Sequence, residues 1–203
     1  MAHKLRGKLL PDIVFKTRVR DEQVAHHNPY RWQNVTTDEL FENKRVVVFS
    51  LPGAFTPTCS TYQVPGFEEA YECIKSLHVD DIYCISVNDA FVMNAWAKSQ
   101  EIKNIKMIPD GSGKLTEALG MLVDKDNLGF GKRSWRYAMI VTDGVIEAEF
   151  IEEGQMDNCP EDPYEQTTPE NIIAYLESVE DRFKYKSGAT DAQSLKEHTQ
   201  KDH

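Results

Sequence analysis

The run Arg45-Val46-Val47-Val48-Phe49-Ser50 is apolar without alternation, the pattern of a strand covered on both faces. Ile82-Tyr83-Cys84-Ile85-Ser86-Val87 repeats it, and a shorter strand, Ile105 to Ile108, is stopped by Pro109-Asp110-Gly111. Between the first two, Phe67, Ala70, Tyr71, Ile74 and Leu77 recur at three- and four-residue spacing, so a helix with one apolar stripe is expected. Pro65-Gly66 near its start predicts a kink, and Cys73 falls off the stripe toward solvent. Thr37-Asp38-Glu39-Leu40-Phe41 reads as a short capped turn ahead of the first strand. Asp89 caps a helix running to about Gln100, and Leu115 to Met121 suggests a shorter one. Two further strands, Arg136 to Val141 and Val145 to Ile151, flank the hairpin turn Thr142-Asp143-Gly144. Thr168-Pro169-Glu170 opens a last helix, with Ile172, Ile173 and Leu176 on its buried side.

Single helices between successive strands imply parallel pairing, and the hairpin adds an antiparallel portion. The expected fold is therefore α/β, a mixed central sheet with helices on both faces, in a thioredoxin-like arrangement. At 203 residues the chain suits one well-buried core better than two. Residues 1–180 are expected to form that domain, and 181–203 a polar, non-periodic tail.

Composition narrows the classes. With 40% apolar and 28% charged residues the chain is not of disordered or fibrous type. No apolar run approaches the roughly 20 residues a bilayer span needs, and the N-terminus lacks a secretory apolar region. A cytoplasmic address without a membrane partner is expected. The formal net charge is −10, and the segment 151–181 holds ten Asp or Glu and no Lys or Arg. The best basic cluster, Lys125, Lys132, Arg133 and Arg136, is small and mixed with acids, so nucleic acid is disfavoured as a partner.

The cysteines are Cys59, Cys73, Cys84 and Cys159, with no Cys-x-x-Cys pair and no ligand spacing to the six histidines, so neither a zinc ribbon nor a dithiol motif is supported. Cys59 is set apart by its place. It ends the loop Leu51-Pro52-Gly53-Ala54-Phe55-Thr56-Pro57-Thr58, between a buried strand and a helix. A cysteine in a first helical turn faces unpaired N–H groups and the positive end of the helix dipole, which favour thiolate over thiol. Thr56 can bring a hydroxyl beside the sulfur, and the two prolines stiffen the approach. From location alone, a cysteine that merely plugs the strand–helix corner is an equally good reading.

The spelling of the loop decides between them. Pro52-x-x-x-Thr56-x-x-Cys59 resembles the peroxiredoxin active-site motif, and Pro-Gly-Ala-Phe-Thr-Pro-Thr-Cys-Ser at 52–60 is similar to the peroxiredoxin 5 subfamily in particular. Ser86-Val87-Asn88-Asp89-Ala90-Phe91 and Arg136-Tyr137-Ala138-Met139-Ile140-Val141 resemble its downstream blocks, in the same order, so the likeness spans about residues 5–180. The resemblance implies roles. Cys59 is the peroxidatic cysteine, Thr56 the hydroxyl that holds peroxide, Pro52 the shield of the sulfur, and Arg136 the guanidinium opposite. The N–H groups of Gly53 and Cys59 bind peroxide with them. One position departs: where related members often read Thr-His-Leu-Pro, this chain has Tyr62-Gln63-Val64-Pro65, so a pocket histidine is replaced by Gln63, which can donate a hydrogen bond but cannot titrate.

The resemblance further implies a thiol peroxidase acting on hydrogen peroxide and small alkyl hydroperoxides, without metal or organic prosthetic group, through a Cys59 sulfenic acid. Cys159 is a possible resolving cysteine. Its surroundings, Pro160-Glu161-Asp162-Pro163-Tyr164, look more like bacterial relatives coupled to glutathione and glutaredoxin, so an external thiol, from these or thioredoxin, is the other reductant. Cys84 is expected to be inert and Cys73 a surface bystander. A homodimer is the family default. A peroxide-sensing switch, acting through Cys59 oxidation without turnover, is the alternative function.

Overall fold

The computed structural model describes residues 5–24 and 29–180. The expected 181–203 tail lies outside them. The central sheet has five strands: β3 (Arg45–Ser50), β4 (Asp81–Ser86), β5 (Lys106–Pro109), β8 (Tyr137–Thr142) and β9 (Val145–Ile151), in the order β5-β4-β3-β8-β9. β3, β4 and β5 run parallel, and β8 and β9 are antiparallel to their neighbours. The mixed sheet expected from the element order is present.

Alternation along β3 divides the core. Val46 and Val48 pack on one face with Phe41, Tyr83, Trp135 and Met139. Val47 and Phe49 pack on the other with Phe67, Ile74, Trp96 and Ile172. Four strand residues in succession are fully buried, which is why the run lacks a polar face.

The helix after β3 starts at residue 57, but its first full turn is wide. Cys59–Gln63 form a π-helical turn, closed by the Val64 N–H on the Cys59 carbonyl, and α2 (Val64–Glu69) continues it. The irregularity expected at Pro65-Gly66 thus falls just before it. Pro65 has no N–H to return to an α turn, and the widened turn absorbs that loss. A second break, at Ala70, separates α3 (Tyr71–Ser76). Phe67 of α2 stacks on Phe49 of β3 with centroids 4.1 Å apart and rings 4° from parallel, fixing the helix to the sheet.

Other elements match their signals. α1 (Thr37–Phe41) has a capping box between Thr36 and Glu39. In α4 (Ala90–Ser99) the Asp89 carboxylate accepts from the N–H groups of Phe91 and Val92, at 2.8 and 3.0 Å. α5 spans Lys114–Ala118, and α6 spans 169–180 with Ile172 and Leu176 buried. The sequence pattern missed two hairpins. β1 (Val14–Arg20) pairs with β2 (Tyr30–Thr36), and the short β6 (Leu122–Asp124) with β7 (Lys132–Ser134). The first is half-buried or exposed apart from Phe15, and the second has only three residues in each strand, so neither carries an apolar face long enough to register.

Register explains where chemistry is assembled. Ser50, the last residue of β3, pairs with Tyr137, the first of β8, and Tyr137 pairs with Ile151, the last of β9. Three connections therefore open at one end of the sheet: the loop to Cys59, the approach to β8 that carries Arg136, and the segment after β9.

Candidate active site

The loop from β3 to the helix is built tightly. Pro52, Gly53 and Cys59 are buried, and Phe55 takes a left-handed backbone, φ 64°. The Thr56 hydroxyl donates to the Gly53 carbonyl at 2.8 Å, which leaves its oxygen lone pairs free to accept from another donor. From the turn after β4, the Asn88 side-chain oxygen accepts the Ala54 N–H at 2.9 Å and the Ser86 hydroxyl at 2.7 Å. Trp96 Nε1, from α4, donates to the Ser60 hydroxyl at 3.1 Å.

Arg136 reaches this loop from the neighbouring strand and is only 1% exposed. Its Nη1 lies 3.5 Å from the Cys59 sulfur and donates to Gln63 Oε1. Nη2 meets Asp162 Oδ1 at 2.5 Å, and Nε donates to the Pro163 carbonyl at 2.9 Å. The Tyr164 ring centroid is 5.6 Å from the guanidinium carbon. Burial alone pulls the guanidinium toward neutrality, but the charges of Cys59 and Asp162 outweigh it and raise its hold on the proton. Arg136 therefore presents a fixed positive charge to the sulfur.

What fixes it is the segment after β9. The Glu152 carboxylate, 2% exposed, accepts the N–H groups of Glu165, Gln166 and Thr167 at 2.9–3.0 Å, and the Thr167 hydroxyl at 2.8 Å. This anchor sets Asp162, Pro163 and Tyr164 against Arg136. Sequence reasoning missed Glu152, Asp162 and Tyr164. The available signal was the acidic block after Ile151, since a buried arginine needs a carboxylate nearby.

Of the residues named from the sequence, Cys59 and Arg136 meet directly, and Pro52, Gly53 and Thr56 share their loop. Arg133, a member of the basic cluster, is half-buried: its Nη1 donates to the Val87 carbonyl at 2.8 Å, and burial lowers its pKa. Cys84 is fully buried in β4, and burial, then the proximity of Cys59, push its thiol well above the usual range. Cys73 is exposed. Cys159 is buried in the cluster on the sheet face opposite to Cys59, so the structure does not bring these two together.

Residues 7–166 match the Redoxin family model. A peroxiredoxin of Rhizobium etli is 60% identical over 171 residues, 84% of this chain and 96% of its own. A hybrid peroxiredoxin of Haemophilus influenzae is 49% identical over 172 residues, 85% of this chain and 66% of its own. Among solved structures, a Plasmodium falciparum 1-Cys peroxiredoxin superposes with a TM-score of 0.79 at 40% identity, covering 85% of this chain and 99% of that one. Reduced Prx3 of Vibrio vulnificus, in complex with hydrogen peroxide, gives 0.71 at 36% identity over 84% and 98%. A sulfur-bearing loop, an opposed arginine and relatives of this closeness agree: the chain belongs to the peroxiredoxin family, on its peroxiredoxin 5 side, and is a thiol-dependent peroxidase.

Proposed function

We propose that Cys59 is the peroxidatic residue, that its substrates are hydrogen peroxide and small alkyl hydroperoxides, and that an external thiol, glutathione with glutaredoxin, returns it to the reduced state. The observation that carries this reading is the Arg136 Nη1 held 3.5 Å from the sulfur, with both residues buried.

The Cys59 thiolate attacks one peroxide oxygen. The S–O bond forms and the O–O bond breaks, so sulfur is oxidised by two electrons and the departing oxygen leaves as hydroxide or alkoxide, to be protonated by water. Negative charge moves from sulfur onto that oxygen. Donors fixed along its path stabilise the transition state more than the ground state. Arg136, whose position changes little because four neighbours hold it, is one such donor. The N–H groups of Gly53 and Cys59 are assigned the same task, and Thr56 accepts the peroxide O–H. Pro52 closes the sulfur off from bulk water.

Two thiols complete the cycle. The first displaces hydroxide from the sulfenic acid to give a mixed disulfide and water, and the second releases the Cys59 thiolate. The burial of Cys159 across the sheet supports an external first thiol, because a disulfide requires Cα atoms within about 7 Å. Four free cysteines suit a reducing compartment, which supports a cytoplasmic setting. Exposed Phe55, Tyr62 and Phe91 in the elements that frame the site favour a homodimer over an isolated chain.

Peroxide decay under a panel of thiols, with mass spectrometry of the oxidised protein, tests the reading. Many equivalents should be consumed with glutathione and glutaredoxin, none by Cys59→Ser, and turnover by Cys159→Ser should match the parent. Consumption of one equivalent would mark a sensor, and a Cys59–Cys159 disulfide would end the external-thiol scheme.

A further inference from the structure

Gln63 closes the wide turn that begins at Cys59 and is completely buried. Its Oε1 accepts from Arg136 Nη1. A guanidinium can only donate, so the amide orientation is set by chemistry, with the oxygen toward Arg136 and the NH2 turned away. That Nε2 is buried and has no hydrogen-bond partner among the described residues. Native interiors rarely leave such a donor unpaired, because it gives up its water and gains nothing in return. The same Nη1 that holds the amide oxygen lies 3.5 Å from the Cys59 sulfur, so the orphan donor sits one amide group away from a nitrogen that touches the reacting atom.

We propose that the Gln63 carboxamide is a peroxide-binding donor, its Nε2 giving a hydrogen bond to an oxygen of the peroxide positioned for attack by Cys59. This rests on the reading of Cys59 as the peroxidatic residue. The amide transfers no proton. S–O formation and O–O cleavage proceed as above, and Gln63 orients the substrate while its oxygen keeps Arg136 in place. The ionisable groups around it are Cys59 and Arg136, with Asp162 and Tyr164 behind the guanidinium. Burial, then the charge of Glu170, push the Tyr164 hydroxyl up to about 12, so it stays neutral.

The test compares two reactions of one sulfur: single-turnover oxidation by hydrogen peroxide and alkylation by iodoacetamide, which brings no peroxide oxygen to bind. Gln63→Met, of similar length and without polar hydrogens, should slow oxidation by about tenfold or more. Alkylation should stay within about threefold of the parent. Oxidation within that same margin, or both rates falling together, would overturn the proposal. Gln63→His is the rescue. Neutral imidazole offers one acceptor and one donor, as the amide does, whereas imidazolium offers Arg136 no acceptor. Its oxidation rate relative to the parent should be near one at pH 8, where the imidazole is neutral. A low ratio there counts against the proposal and also covers the case in which Met disturbs folding. Peroxide consumption by Cys59→Ser would instead remove the underlying reading.

Discussion

Glu152 Oε1 receives the backbone N–H of Thr167 at 2.9 Å and its hydroxyl at 2.8 Å, while the backbone N–H of Glu152 reaches the carbonyl of Arg136 at 3.2 Å. One residue thus joins the strand bearing the arginine to the segment that grips its side chain. Glu152→Ala leaves the N–H groups of Glu165, Gln166 and buried Thr167 without their acceptor and should lose about 1–3 kcal/mol of stability. Urea denaturation measures this. Glu152→Gln keeps an acceptor oxygen and should lose less. Both should oxidise Cys59 more slowly, because Asp162 and Pro163 are no longer set.

Arg136→Ala should lower the rate constant for Cys59 oxidation by about a hundredfold, in the range seen when a fixed transition-state donor is removed. Arg136→Lys should recover little. A lysine has no planar fork, so it cannot serve the sulfur, Gln63, Asp162 and the Pro163 carbonyl together. Stopped-flow tryptophan fluorescence, or competition for peroxide against a known scavenger, gives the rate. A change under about threefold would take the arginine out of the chemistry.

The remaining thiols should separate by burial. In the folded protein at pH 8, iodoacetamide should label Cys73, which is exposed, and spare Cys84 and Cys159, which are buried. Peptide mapping before and after urea reads this directly. Labelling of Cys84 as fast as Cys73 would mean that β4 opens readily.

Arg45 and Glu147 make a two-point pair across the sheet, with Nε–Oε2 at 3.0 Å and Nη2–Oε1 at 2.6 Å. Burial pushes the Glu147 carboxyl up, but hydrogen bonds from Arg45 and Thr142 and the Arg45 charge outweigh it and leave its pKa lowered. A carboxyl that ionises more readily when folded stabilises the protein above the unfolded glutamate value of about 4.3, and that contribution disappears as acid protonates it. The pair is partly solvated, so its worth is about 1 kcal/mol or less. Glu147→Gln should be less stable than the parent at pH 7, and the difference should vanish toward pH 3 in thermal melts.

The buried strands were legible because a sheet covered on both faces leaves no polar register, as Val46 to Phe49 show. The Cys59 loop was legible because its chemistry is spelled by neighbours within nine residues. Arg136 could be placed only through resemblance, since a strand-end arginine has no local mark. Glu152, Asp162 and Tyr164 act through a fold-back of the chain after β9, and no periodicity records a contact made by a loop. The β1–β2 hairpin escaped notice because, apart from Phe15, its strand residues are half-buried or exposed, and exposed strands carry little apolar pattern.

The Cys59 sulfur has no exposure at all, and the two reactants it serves differ greatly in bulk. Hydrogen peroxide is two oxygen atoms wide and needs little more than a side-chain fluctuation to arrive. On the proposed cycle, a tripeptide or a protein thiol must approach the same atom in line with its new S–O bond, and with the sulfur covered this requires the wide turn from Cys59 to Gln63 to open. The fold would then filter reactants by size: quick admission of oxidant, and departure from the oxidised state at the pace of that opening. Stiffening the turn would prolong the life of the oxidised sulfur more than it slowed its formation.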